Sequence, residues 1–207
     1  VLIILLTVND SRLLPTIVSR CQRVEFFPLP APIIEQALIE RWQVESAKAK
    51  VLSRLCRGGI GWAVSTSFDE KLLQERSLRL AELQGLATAS LEQRLDFAAK
   101  LAAQFSKSRD LVEEILRLWL EWWRDLLLVK EGCAQFTINV DQEVTLHQQS
   151  ESYGLTDIRD FIEAVRAALE QLEQNVNPRL VLEVLMLSIP NREEEKDKAP
   201  QRLGLPR

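Results

Sequence analysis

Leu6-Thr7-Val8-Asn9-Asp10-Ser11-Arg12-Leu13-Leu14-Pro15-Thr16-Ile17-Val18-Ser19-Arg20-Cys21-Gln22 is the stretch on which the reading of this chain turns. Immediately upstream, Val1-Leu2-Ile3-Ile4-Leu5-Leu6 is apolar at every position. Such a run suits a strand buried on both faces, as in a parallel sheet. It is too short to span a membrane, which takes about 20 residues. A secretory signal would need a basic flank and a longer apolar stretch. Asn9, Asp10 or Ser11 can cap a short helix over Arg12–Val18 by accepting from its free N–H groups. Cys21 to Phe27 then alternates toward a second strand. A lone buried strand finds no partner in the rest of the sequence. The expectation is therefore a fragment that starts at the last strand of an α/β domain.

Moving outward, Pro28-Leu29-Pro30-Ala31-Pro32 is a stiff, extended linker and a natural domain boundary. No proline falls between Ile33 and Asn177, and glycine is scarce there, which favours helix. Ile34, Leu38 and Trp42 recur every four residues on one helical face. Ala47 to Leu55 gives a second helix, Gly58-Gly59-Ile60-Gly61 breaks it, and Trp62-Ala63-Val64 opens a short third. Residues 28–67 thus read as a small helical unit. Residues 68–190 read as a larger helical bundle. Its helices are marked by Leu72, Leu73, Leu80 and Leu83, by Leu91, Leu95, Ala98, Ala99 and Ala102, and by the run from Leu111 to Val129. Gln142–Gln149 adds a further helix, and Thr156 is expected to cap one that reaches Gln174. Asn177 and Pro178, a good cap before a good first residue, open the last, to Leu187. Residues 191–207 are charge-rich, proline-containing and without apolar pattern, and read as a disordered tail. The fold class expected is mostly α, with a remnant of an α/β domain at the N-terminus.

Composition removes several functions. Of 207 residues, 46% are apolar and 27% charged, with Lys+Arg 26 against Asp+Glu 30 and a net charge of −4. A chain that is basic overall, as nucleic-acid binders tend to be, is excluded; a local basic patch is not. With His147 as its single histidine, it can build no two-His metal site. Cys21, Cys56 and Cys133 form no CxxC, so neither a zinc site nor a disulfide framework is expected. They read as small buried thiols in a reducing compartment, hence the cytoplasm. No GxxxxGK[ST] and no GxGxxG loop is present, so a nucleotide cannot be held by the usual glycine route. No GxSxG marks a serine nucleophile. Trp119, Trp122 and Trp123 share one helix with aliphatic neighbours and a single nearby cation, Arg124. That setting reads as bundle core with some surface left for a partner, rather than a base-stacking platform.

The opening stretch, with its buried strand, Leu-Pro-Thr-Ile turn and Ser19-Arg20-Cys21, resembles the end of the ATPase domain in the clamp-loader branch of AAA+ proteins. Downstream, Trp119-Leu120-Glu121-Trp122-Trp123-Arg124-Asp125-Leu126-Leu127-Leu128 and Asn175-Val176-Asn177-Pro178-Arg179-Leu180-Val181-Leu182-Glu183 look like collar segments of the delta-prime family of bacterial DNA polymerase III clamp-loader subunits. The resemblance covers roughly residues 1–190 and implies four parts. Residues 1–27 would end an AAA+ domain, 28–67 would form its lid, 68–190 a collar that holds five subunits in a ring, and 191–207 a tail.

In this family, ATP-hydrolysing members carry an arginine at the start of the third lid helix. The matching position here is Gly61, which argues for a subunit that does not hydrolyse ATP. The polar strand end, Thr7 and Asn9, would then be structural. The resemblance implies that Arg20 acts in trans, as an arginine finger at a neighbour's ATP site, with Ser19 fixing its turn and Cys21 as a small buried anchor. It implies no cofactor or metal in this chain, ATP bound by neighbouring subunits, and no activity for the chain alone within a DNA polymerase III holoenzyme. The implied partners are gamma/tau and delta-type subunits, with sliding clamp and primer–template DNA met through the complex, and no membrane. Two other readings fit part of the sequence. One is a gamma/tau-type motor whose phosphate loop lies outside this sequence. The other is a helical adaptor with no part in ATP chemistry, which leaves Ser19-Arg20-Cys21 unexplained.

Overall fold

Helices dominate because the long proline-free interval lets each segment close its own backbone hydrogen bonds. A computed structural model describes residues 3–7 and 13–190. After a single turn, α1 (Pro15–Val18), come α2 (Ala31–Trp42), α3 (Ser46–Leu55) and α4 (Ile60–Phe68). These are followed by α5 (Lys71–Gly85), α6 (Leu91–Phe105), α7 (Arg109–Lys130), α8 (Glu143–Glu151), α9 (Leu155–Glu173) and α10 (Pro178–Leu187).

Two hydrophobic clusters organise them. The smaller joins Ile34 and Leu38 of α2, Ala49 and Leu52 of α3, Cys56 and Ala63. The two alanines let α3 and α4 approach closely. The larger is centred on α7, which packs against α8 and α9, while α10 lies on α6 and α9. Helix α5 serves both: Leu73 packs against the small cluster, Leu80 and Leu83 belong to the large one.

Helix ends in the bundle are closed by specific devices. Ser90 and Gln93 form a capping box at the start of α6, with Gln93 N donating to Ser90 Oγ at 3.3 Å and Ser90 N to Gln93 Oε1 at 2.9 Å. Helix α7 stops at Gly132 (φ +72°), where Cys133 N reaches Leu128 O at 2.7 Å and Gly132 N reaches Val129 O at 3.0 Å. Asn175 (φ +60°) ends α9 in the same way. Three cations cover C-terminal carbonyls. Arg94 donates to Leu86 O and Ala87 O, each at 3.0 Å, Arg109 to Leu172 O at 3.0 Å, and Lys130 to Ser150 O at 3.0 Å and to Tyr153 O.

The N-terminal expectations need correction. Neither expected strand is formed among the described residues: Ile3–Leu6 and Cys21–Phe27 carry no ladder. A strand takes its hydrogen bonds from a neighbour, and no other strand is present among these residues to supply them. Leu6 is 90% exposed and Phe26 89%. The first helix is shorter than Arg12–Val18 and starts at Pro15 without a side-chain cap; the candidate caps Asn9, Asp10 and Ser11 lie outside the described residues, as does the tail from 191. Thr156 does not cap α9. The chain turns at Gly154 (ψ 151°), one residue before the helix, and Thr156 is already inside it. Asn177 does cap α10, accepting from Arg179 N at 3.0 Å and Leu180 N at 3.4 Å.

Candidate functional site

The residues singled out by sequence fall in one turn. Val18, Ser19, Arg20 and Cys21 close α1, with Ser19 N donating to Pro15 O at 2.9 Å and Arg20 N to Ile17 O at 3.1 Å. The Ser19 hydroxyl donates to Thr16 O at 3.3 Å, which ties the turn back onto the helix. The Arg20 guanidinium is exposed. Cys21 is exposed rather than buried, because no element among the described residues packs over it. The other thiols differ. Cys56 is buried and burial pushes its thiol up, only partly offset by the N–H groups of the Gly58-Gly59 turn, while Cys133 is half-buried. Gly61 sits in the first turn of α4, and a side chain there would meet open space. The site therefore tolerates a larger residue sterically.

The tryptophans belong to the core. Trp119 meets Phe161 edge-on at 4.8 Å between centroids, and Trp123 packs against Phe161 at 4.6 Å and Tyr153 at 5.0 Å. Trp122 is equally buried, and its Nε1 donates to Gln149 Oε1 at 3.0 Å. With all three indoles turned inward, none offers a ring face for stacking a base.

Sequence reasoning missed Asp125, which is fully buried on α7. Its Oδ2 accepts from Ile138 N at 2.9 Å, Asn139 N at 2.8 Å and Asn139 Nδ2 at 2.7 Å. Arg76 of α5 donates to Asn139 Oδ1 and, at 3.2 Å, to Asp141 Oδ2. This network pins the 133–142 connection to α7 and α5. No short-range pattern announces it, since its members lie far apart in sequence.

An apolar face of the bundle stays open on α10. Val181, Leu182, Leu185 and Met186 are buried, yet Leu180, Val184 and Leu187 are 57%, 53% and 61% exposed. These three recur at four and three residues, one stripe along the helix. Val176, just before the helix, is also exposed and extends it. A helix apolar on nearly every side is one whose sequence suits burial all round, and here one side is open. Among the described residues no helix is long and apolar enough to cross a membrane, and no group of three or more His, Cys, Asp or Glu is placed to hold a metal ion.

Comparison with known proteins gives these features a context. A family described as DNA polymerase III, delta subunit, C terminal, matches residues 70–190, the interval that contains α5 to α10. DNA polymerase III subunit delta' of Bacillus subtilis (strain 168) is 27% identical over 186 residues, covering 90% of this chain and 56% of that protein. The chain thus spans little more than half the length of this relative. Its sequence is delta-prime-like, and it belongs to the family defined by the C-terminal region of the DNA polymerase III delta subunit.

Proposed function

We propose that this chain is the collar-bearing part of a sliding-clamp loader subunit that does not itself hydrolyse ATP. The observation that carries this reading is the open apolar stripe of Leu180, Val184 and Leu187 on the last helix of the family-matched region. An exposed stripe of this kind marks an association surface. Its proposed occupant is the corresponding helical region of gamma/tau and delta-type subunits in a pentameric ring. Residues 28–67 serve as the lid, and residues 1–27 as the end of the ATPase-like domain.

Arg20 acts in trans in this reading. Phosphoryl transfer spreads charge over the γ-phosphate oxygens, and a guanidinium offered by a neighbour offsets it. Arg suits the task because it is always charged and presents a rigid fork of donors. Fingers of this type are worth about 10³–10⁵ in rate in GTPases. The exposed guanidinium and the Ser19 tie to α1 support the assignment. Gly61, which offers no cation at the start of α4, supports the non-hydrolysing role. ATP itself would be held by the neighbour, and the clamp and primer–template DNA would be met through the assembly.

The test is assembly followed by chemistry. The chain, and its full-length form, should co-elute with the gamma/tau-type subunit, and Leu180→Glu with Val184→Glu should abolish co-elution while leaving helicity intact. Arg20→Ala should leave assembly unchanged and lower clamp- and DNA-stimulated ATP hydrolysis by the complex. Unchanged hydrolysis removes the finger; failure of the full-length chain to assemble removes the collar.

A further inference from the structure

The linker that leads into α2 is clamped. Gly58, in the turn after α3, has φ +87°, a conformation that residues with a Cβ rarely adopt. A Cβ there would also stand 2.7 Å from Pro28 Cα and 2.8 Å from Leu29 N. Only glycine lets the linker backbone come this close. Leu29 N uses that proximity to donate to Gly58 O at 3.1 Å. The neighbouring residue Arg57 is also left-handed, at φ +50°, although it carries a full side chain. That conformation is unfavourable for an L-residue, because its Cβ crowds the following carbonyl oxygen. Its guanidinium pairs with Glu121 of α7.

This pair differs from an ordinary surface bridge, which contributes little. The Glu121 side chain is only 14% exposed. Burial pushes its carboxyl up, Arg57 and Arg76 offset part of this, and Asp125 one turn along adds to it. The same helix is tied to α5 and to the 133–142 connection by the Asp125–Asn139–Arg76 network. A direct path therefore runs from Pro28, through the Gly58 turn and Arg57, to the longest helix of the bundle. Among the described residues a second ion pair, Lys48 to Glu70 at 3.0 Å, joins a half-buried lysine to an exposed glutamate and does not touch the linker.

We propose that the Arg57-Gly58 turn is a joint that holds the segment leading from Ser19-Arg20 to α7, with Arg57, Gly58 and Glu121 as its positioning residues. It rests on the proposed function only for what is positioned; the joint itself is a property of this chain. Within that reading, the joint fixes where the finger-bearing segment leaves the collar.

The test measures a distance. Spin labels are placed at Phe27→Cys and Arg117→Cys, both exposed, in the full chain carrying Cys21→Ser and Cys133→Ser, with buried Cys56 left in place. Pulsed dipolar spectroscopy should give a narrow distance distribution. Gly58→Ala, Arg57→Ala and Glu121→Ala should each lose it, Glu121→Gln should keep it, and Arg57→Ala with Glu121→Ala should be no broader than either alone. Circular dichroism separates this from unfolding, and if Gly58→Ala does not fold, the Arg57 and Glu121 variants decide. A narrow distribution that survives both Arg57→Ala and Glu121→Ala overturns the joint. If the joint holds while Arg20→Ala leaves hydrolysis unchanged, the finger falls alone.

Discussion

The N-terminal segment and the bundle are similarly rich in apolar residues and end in opposite states. Ile3, Ile4, Leu5 and Leu6 are all more than half exposed. Leu116, Trp119, Trp122, Trp123 and Leu126 are almost wholly buried. The difference lies in where each backbone finds its hydrogen bonds. A helix satisfies its own, so an apolar stripe on it needs only a neighbouring helix to cover it. A strand needs an edge to pair with before its side chains can be buried. Among the described residues, the same apolar content thus builds a core in one place and lies open in the other, where no second strand is present to pair with.

That contrast can be broken, and the largest effect should come from its centre. Trp119→Ala removes the indole that meets Phe161 and should cost about 3–5 kcal/mol of unfolding free energy in a urea titration. A loss below about 1 kcal/mol would mean the aromatic cluster is looser than its centroid distances indicate. Next comes Asp125→Ala, which strands two backbone N–H groups and the Asn139 amide. A loss of about 2–4 kcal/mol is expected, since each buried group left without a partner costs roughly 1–3 kcal/mol and some recover water. Hydrogen exchange should show its effect concentrated at residues 133–142. The smallest change should follow deletion of residues 1–27, within about 0.5 kcal/mol, as for surface changes remote from a core. Deletion should also reduce self-association, because exposed apolar segments promote it. A large destabilisation on deletion would overturn the contrast.

How much is legible in the sequence follows from the same physics. The spacing of Ile34, Leu38 and Trp42, the long run from Leu111, and the Asn177-Pro178 start of α10 are local signals, and the helices form there. The Ser90-to-Gln93 capping box is also readable, as a Ser followed three residues later by Gln. The start of α9 is hidden because Gly154 begins it through backbone conformation, which leaves no side-chain signature. Asp125 and Glu121 look like ordinary solvated charges in sequence. Their importance comes from partners on other elements, Asn139 and Arg57, which only the packed chain brings near. For the proposed site, Ser19-Arg20-Cys21 is a contiguous motif, whereas the Gly58 contact with Pro28 joins residues thirty apart and emerges only in the folded chain.

The cations that close helix ends also shape the field around the bundle. Residues 70–190 carry 13 Lys+Arg against 20 Asp+Glu. Arg94, Arg109 and Lys130 direct their donors at backbone carbonyls, where they balance the negative ends of helix dipoles. Their charge sits at helix ends, and residues 70–190 keep a net excess of seven carboxylates. To an approaching polyanion that excess is repulsive, over a range of about 8 Å at physiological salt. A nucleic-acid strand passing this part of the molecule would meet that excess, with these three cations already engaged at helix ends.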